Sequence, residues 1–429
     1  MPDNGGTLAQ DGHVIIIGGG PAGTGCALAL HRLAQKMERS LRITVIEGKQ
    51  FTGEYQYNQC AGVLSPPLPQ LLEEELGVPF PHHLSRGQIT GYVLHIPGQQ
   101  ILLDGNAEPS IALRRIQFDA YMLEAVKKRG INVVHARAQD VEFHPDRVVV
   151  YTENSSVMGD VVVGAFGLDP GSAALFAQQT GYRPPQSLSS VVTKYHPGAE
   201  EMRAFGTYIH AFLPPHPHIE FGAITPKGNH LTVNIAGRAA DAVSMQDFLS
   251  RPDVQAVLPN LTQAGIYDPH DLRIFKGHFP CSLARRYYGD RYVMVGDAAG
   301  LVRAFKGKGV TSGVLTGIRA AETILRVGVS AEAFSRHYRS ANRDIISDLP
   351  YGQGMRVFTI ALARLGLLAP VVRAAHKDTS LQAALYGAVS AHDPYRDVLA
   401  RALRPRTFLS VLRQLRPSDI NLVFHPCTT

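Results

Sequence analysis

A β-branched run, His13 to Ile17, leads directly into Gly18-Gly19-Gly20-Pro21-Ala22-Gly23, and an Ala- and Leu-rich stretch follows. A buried strand that turns through glycines into a helix is the opening of a parallel βαβ unit. Gly18 permits the tight turn, Gly20 lets the backbone approach a pyrophosphate, and Gly23 lets helix and strand pack closely. Pro21 and Ala22 lead into the helix, whose free N–H groups and partial positive charge suit phosphate oxygens. Thr24 to Met37 reads as that helix and Leu41 to Ile46 as the second strand. The strand ends in Glu47, 29 residues after Gly18, where a carboxylate suits ribose hydroxyls. The usual spacing is about 20 residues, so the helix is long and the nucleotide's identity stays open.

Beyond this unit, Phe51 to Pro69 reads as a long loop and Phe118 to Arg129 as a helix. Ile131–His135, Arg147–Tyr151, Asp160–Ala165 and Tyr292–Val295 read as strands, and Val310 to Val327 as a long helix. From Ser187 to Gly237 the chain reads as antiparallel sheet, with Leu231, Val233 and Ile235 on one face. The expected fold class is α/β, a doubly wound nucleotide domain interrupted by an antiparallel-sheet substrate domain and followed by a helical region. The expected boundaries are 10–66, 104–180 and 280–345 for the nucleotide domain, 67–103 and 181–279 for the substrate domain, and 346–429 for the helices.

The 429 residues carry a net charge of +6, too little for a dedicated nucleic-acid binder. From Tyr351 onward there are 10 Lys/Arg against 4 Asp/Glu, so the basic excess is local. Those helices either pack over the nucleotide domain or lie on an anionic membrane and receive a lipid substrate. Four scattered cysteines read as cytosolic thiols, and no signal peptide or spanning segment is expected, which points to a cytoplasmic or peripheral protein. His210, His216 and His218 read as a proline-rich solvated turn, and no metal site is expected.

A second pattern, Val293-Met294-Val295-Gly296-Asp297-Ala298-Ala299-Gly300, is a strand ending in a GD pair. It resembles the second FAD fingerprint of flavoproteins related to p-hydroxybenzoate hydroxylase and geranylgeranyl reductase. The resemblance covers roughly Val14 to Ser335 and implies FAD, with Asp297 on the ribityl chain. It also implies that Arg115, opening Arg115-Ile116-Gln117-Phe118-Asp119, sits near FAD and that Ala138 meets the adenine. Cys60-Ala61-Gly62-Val63-Leu64-Ser65-Pro66 is similar to the geranylgeranyl reductase loop beside the flavin, and Gly277-His278-Phe279-Pro280 to the turn before the GD strand. Cys60 is then either a core thiol or a group facing flavin and substrate that helps deliver a proton.

Three departures qualify this resemblance. Where reductases read Pro-Leu-Thr-Gly-Glu-Gly-Ile, this chain has Ala304-Phe305-Lys306-Gly307-Lys308-Gly309-Val310. Gly307, Gly309 and Val310 still permit close approach to the flavin, while Lys306 and Lys308 either favour negative charge on it and raise its potential or reach out to solvent, Lys306 being the one expected to touch flavin or substrate. The middle GADG motif appears as Gly164-Ala165-Phe166-Gly167, without the aspartate that helps organise the NAD(P)H encounter. The YxWxFP motif over prenyl substrates appears as Phe221-Gly222-Ala223-Ile224-Thr225-Pro226, so the substrate pocket is reshaped. The implied function is an FAD-dependent oxidoreductase that transfers hydride to a C=C bond of a hydrophobic, prenyl- or lipid-like substrate. A flavin monooxygenase is the alternative, and NAD(P)H or a small redox protein the electron donor.

Overall fold

The computed structural model describes residues 8–51, 59–104, 108–258, 273–302, 309–391, 393–417 and 419. A six-stranded sheet runs in the order Tyr288–Gly289, Tyr292–Met294, Val161–Gly164, Gly12–Ile17, Leu41–Ile46, Asn132–Val134. All its pairs are parallel except the outermost, Tyr288–Gly289 with Tyr292–Met294. Gly12–Ile17 is buried along its whole length, which is why it shows a continuous β-branched run rather than alternation. This is the Rossmann-type arrangement.

The first helix spans Pro21–Lys36 and starts three residues earlier than expected. Proline is accepted at the first helical position, where its missing N–H has no intrahelical partner to lose. The helix Gly309–Arg326 packs directly across it. At Gly317 a Cβ would stand 2.4 Å from the Ala22 carbonyl oxygen, so the two backbones meet with no side chain between them.

The seven-stranded sheet runs in the order Phe275–Pro280, Ser187–Tyr195, His230–Gly237, Phe221–Lys227, Tyr208–Phe212, Gly91–Ile96, Gln99–Asp104. The expectation of uninterrupted antiparallel sheet over 187–237 needs two corrections. Ala199–Phe205 is a helix, with Glu200 and Glu201 in its first turn opposing the helix dipole. Tyr208–Phe212 pairs in parallel with Gly91–Ile96, a strand contributed from far earlier in the chain. Val191, Ile224, Leu231, Val233 and Ile235 form one face and pack on Met245 and Phe248 of helix Ala242–Leu249.

The long loop expected over Phe51–Pro69 contains regular elements among its described residues. Val63–Leu64 pairs with Ser110–Leu113, which pairs in turn with Ser85–Ile89, and a short helix spans Leu68–Gln70. The helical region begins with Arg343–Arg364, followed by Leu368–Ala375, Thr379–Ser390, Tyr395–Ala402 and Pro405–Leu412. Leu368, Val372 and Leu381 pack on Leu94, Ile101 and Leu103, so these helices cover one end of the seven-stranded sheet. A buried Arg356–Glu220 pair at 3.1 Å pins the long helix to it. Among the described residues no single helix is long and apolar enough to cross a membrane. Arg343–Arg364 and Leu368–Ala375 reach the length only as a pair bent by 105°.

Candidate functional site

The glycine turn is held by contacts that exclude larger residues. Gly18 adopts φ +110° and donates its N–H to the Ile46 carbonyl at 2.8 Å. At Gly23 a Cβ would lie 1.9 Å from the Gly18 carbonyl oxygen, so helix and turn touch backbone to backbone. Gly20 differs, because its Cβ would meet nothing within 4 Å among the described residues. A side chain there would fill the cradle in front of the Pro21–Lys36 helix, the space that an approaching pyrophosphate needs.

Glu47 is only 9% exposed and accepts two main-chain hydrogen bonds. Gly19 N–H donates to Oε2 and Lys49 N–H to Oε1, both at 2.7 Å. The carboxylate expected on ribose hydroxyls therefore also braces the turn itself. Each oxygen keeps a further lone pair, so the two roles are compatible.

The second turn lies against the first. Gly296 has φ +58°, and its Cβ would stand 2.9 Å from that of Ala22. Its N–H donates to Thr316 Oγ1 at 2.9 Å, which fixes the turn to the Gly309–Arg326 helix. A Cβ on Gly309 would lie 3.3 Å from Asp297 Oδ1, so the carboxylate sits at that helix's N-terminus. Burial pushes the Asp297 carboxyl above the ordinary range, and Arg115 draws it back. Arg115 donates from Nε to Asp119 Oδ1 at 2.7 Å, and Asp119 is fully buried. Burial works against the Arg115 charge, yet Asp119, Cys60 and Asp297 together hold its pKa above the ordinary value.

Val310 packs partly into the main core beside these turns, and Ala138 opens the strand Ala138–Phe143 opposite Thr152. Lys306, Gly307 and Lys308 lie outside the described residues. Phe166, which stands where the related motif has an aspartate, stacks on Phe176 at 5.5 Å and meets Tyr182 edge-on. His210 leaves the expected histidine turn: its Nδ1 lies 2.8 Å from His95 Nε2 across the parallel strand pair.

Sequence reasoning missed Lys227. Only 3% exposed, it donates from Nζ to the Cys60 carbonyl at 3.1 Å. Burial pulls its pKa down to about 8. Cys60 itself is half-buried, between Lys227 and the charge of Arg115. The signal was one residue away, since Lys227 directly follows the Phe221–Pro226 segment.

No family model matches the chain. Among solved structures it is similar to a geranylgeranyl bacteriochlorophyll reductase-like protein from Thermoplasma acidophilum, at 15% identity and a TM-score of 0.66, covering 96% of this chain and all of that one. A flavoprotein/dehydrogenase from Cytophaga hutchinsonii matches at 14% identity and 0.67, over 94% of this chain and 98% of that one. The p-nitrophenol 4-monooxygenase of Pseudomonas putida matches at 14% identity and 0.60, over 97% and 99%. At these identities the shared property is the fold.

Proposed function

We propose that this chain is an FAD-dependent oxidoreductase. The observation that carries the reading is the contact between the two glycine turns, which puts Gly20 and Asp297 at the N-termini of two helices that cross at Ala22. Gly18, Gly20, Gly23 and the Pro21–Ala22 helix start would hold the pyrophosphate, and Glu47 the adenosine ribose. Asp297 would hold the ribityl chain, with Arg115, Gly309 and Val310 around the flavin. Bound FAD supplies two-electron chemistry that none of these side chains has. The protein's own part is to orient that group, keep it from water and set the charge around it through Arg115 and Asp297.

The favoured reaction is hydride transfer to a C=C bond of a hydrophobic substrate, for which Cys60 would hold a proton nearby. Similarity over nearly the whole length to a p-nitrophenol 4-monooxygenase supports oxygen-dependent chemistry as the second reading. Phe166 brings no carboxylate to its turn, which favours a small redox protein over direct NAD(P)H reduction. Anaerobic reduction of the yellow protein with NADH, NADPH and dithionite separates these readings. Reoxidation by a prenyl lipid without air supports the reductase, whereas reoxidation by air with substrate oxygenation supports the monooxygenase. Asp297→Ala is expected to lower FAD affinity by roughly tenfold or more, the loss of a charge-assisted hydrogen bond. Unchanged flavin content after dialysis would reject the role given to Asp297.

The C-terminal helices favour peripheral membrane contact. Val357, Phe358, Leu403, Phe408, Leu409 and Leu412 are exposed, and the exposed Arg404, Arg406 and Arg413 lie among them. Basic residues around exposed apolar side chains suit an anionic lipid surface. The protein is expected to cosediment with phosphatidylserine vesicles at low salt and to be released at high salt. Absence from the pellet at low salt rejects the contact.

A further inference from the structure

The second face of the seven-stranded sheet carries polar side chains that the reading above does not use. In register, Lys227 lies across from His230, Thr225 from Thr232, and Ala223 from Asn234, so alternation places all of them on one face. It is the face opposite Leu231, Val233 and Ile235. Thr225 and Thr232 are 1% and 0% exposed. Thr225 Oγ1, Thr232 Oγ1 and Asn234 Oδ1 have no hydrogen-bond partner among the described residues. Buried polar groups are almost always paired, so three unpaired oxygens on one face leave hydrogen-bonding capacity that the described residues do not use.

Lys227 closes one end of this face. The hairpin turn through Gly228, at φ +67°, ends its strand and leaves it packed against the Cys60 loop. An ammonium has three donors, and the Cys60 carbonyl takes one of them. Lys194, on the neighbouring strand and opposite Thr232, and Arg114 both press on its charge. Among the described residues, no carboxylate is among the groups acting on it. Towards the other end, Phe221 and Phe279 meet with ring centroids 6.1 Å apart, both half-buried. Ala223 and Thr225 occupy the positions of the Trp and Phe of the prenyl-reductase pattern, which removes bulk between the two ends.

We propose that this face recognises the substrate, that Lys227 receives a carboxylate on it, and that Phe221 and Phe279 take its apolar body. The substrate class is then an amphiphilic carboxylic acid. One deeply buried ammonium calls for one compensating charge. A carboxylate brings two acceptor oxygens, enough for Lys227 and a threonine hydroxyl together. The inference rests on the oxidoreductase reading only in placing this face beside Cys60 and Arg115. Binding should weaken as pH rises through about 8, where Lys227 loses its proton. The other groups facing it are Lys194, Arg114, the Cys60 thiol and His230, which burial and its cationic neighbours hold near 3 and therefore neutral.

The test is calorimetric titration of the FAD-loaded protein at pH 7 with farnesoate, farnesol and farnesyl diphosphate. Farnesoate is expected to bind at least tenfold tighter than farnesol. Lys227→Met should bring farnesoate down to the farnesol level with farnesol affinity and FAD content unchanged, and Thr225→Val should weaken farnesoate several-fold. Equal binding of farnesoate and farnesol, tighter binding of the diphosphate, or farnesoate affinity unaffected by Lys227→Met would each overturn the proposal. A protein that never takes up FAD but still prefers farnesoate would sink the flavin reading and leave this one standing.

Discussion

Gly23→Ala is expected to emerge from purification depleted of FAD and to need a far higher FAD concentration than the parent protein to take it up. The added Cβ would stand 1.9 Å from the Gly18 carbonyl oxygen, a backbone atom that cannot rotate away. Gly18 cannot retreat either, because its own N–H is bonded to Ile46 and its α-carbon faces the Ala165 carbonyl. Helix and turn must therefore separate, which moves every N–H that would face a pyrophosphate. Overpacking of this kind costs about 1–3 kcal/mol and sometimes more, equivalent to roughly a tenfold to hundredfold loss of affinity. Gly20→Ala is the informative comparison. Its Cβ meets no atom of the described residues within 4 Å, so it should leave stability unchanged and still lower FAD binding. Flavin absorbance relative to protein absorbance reads both variants. Normal flavin content in Gly23→Ala would show that the nucleotide binds elsewhere.

Lys227→Met is expected to make the protein more stable at neutral pH. Burial pulls the lysine from an ordinary 10.5 to about 8, so the folded state holds this proton more weakly than the unfolded chain does. The folded protein therefore carries a penalty below pH 8 that fades as pH rises from about 8 to 10.5. A shift of this size corresponds to a penalty on the order of 3 kcal/mol. Loss of the hydrogen bond to the Cys60 carbonyl offsets about 1 kcal/mol of the gain. Thermal denaturation at pH 7 should show a higher midpoint for the variant, and at pH 10.5 the difference should have largely gone. A variant less stable at pH 7 would mean that contacts within the protein already compensate the buried charge, leaving it no need of an anionic ligand. A stabilising substitution that removes carboxylate binding would identify a residue retained for function at the expense of stability.

The parts legible beforehand share a local cause. A strand that must be apolar on both faces, a turn that only glycine can make and a carboxylate at the next strand's end all lie within one βαβ unit, so Gly18, Gly23 and Glu47 could be read in order. Gly296-Asp297 was legible for the same reason, as a strand-end turn. Other features were hidden because their partners come from distant segments. Glu47 braces Gly19, which depends on how the two strand ends meet in space. Phe166 was visible as a departure, but its place in an aromatic stack required Phe176 and Tyr182. The helix Ala199–Phe205 interrupts a region whose β-branched content dominated the local pattern, and its neighbouring strand pairs in parallel with a segment more than a hundred residues earlier.

Residue order alone was enough for the nucleotide-binding frame, because backbone conformation at a glycine and hydrophobic periodicity along a strand are properties of neighbours in the chain. Burial of a charge is not such a property. Lys227 sits beside a hairpin turn, where a lysine ordinarily reaches solvent. It is buried where the Cys60 loop, 167 residues earlier in the chain, meets it. The tertiary structure thus decided which side chains could discriminate a substrate, since desolvation depends on everything that packs around a group.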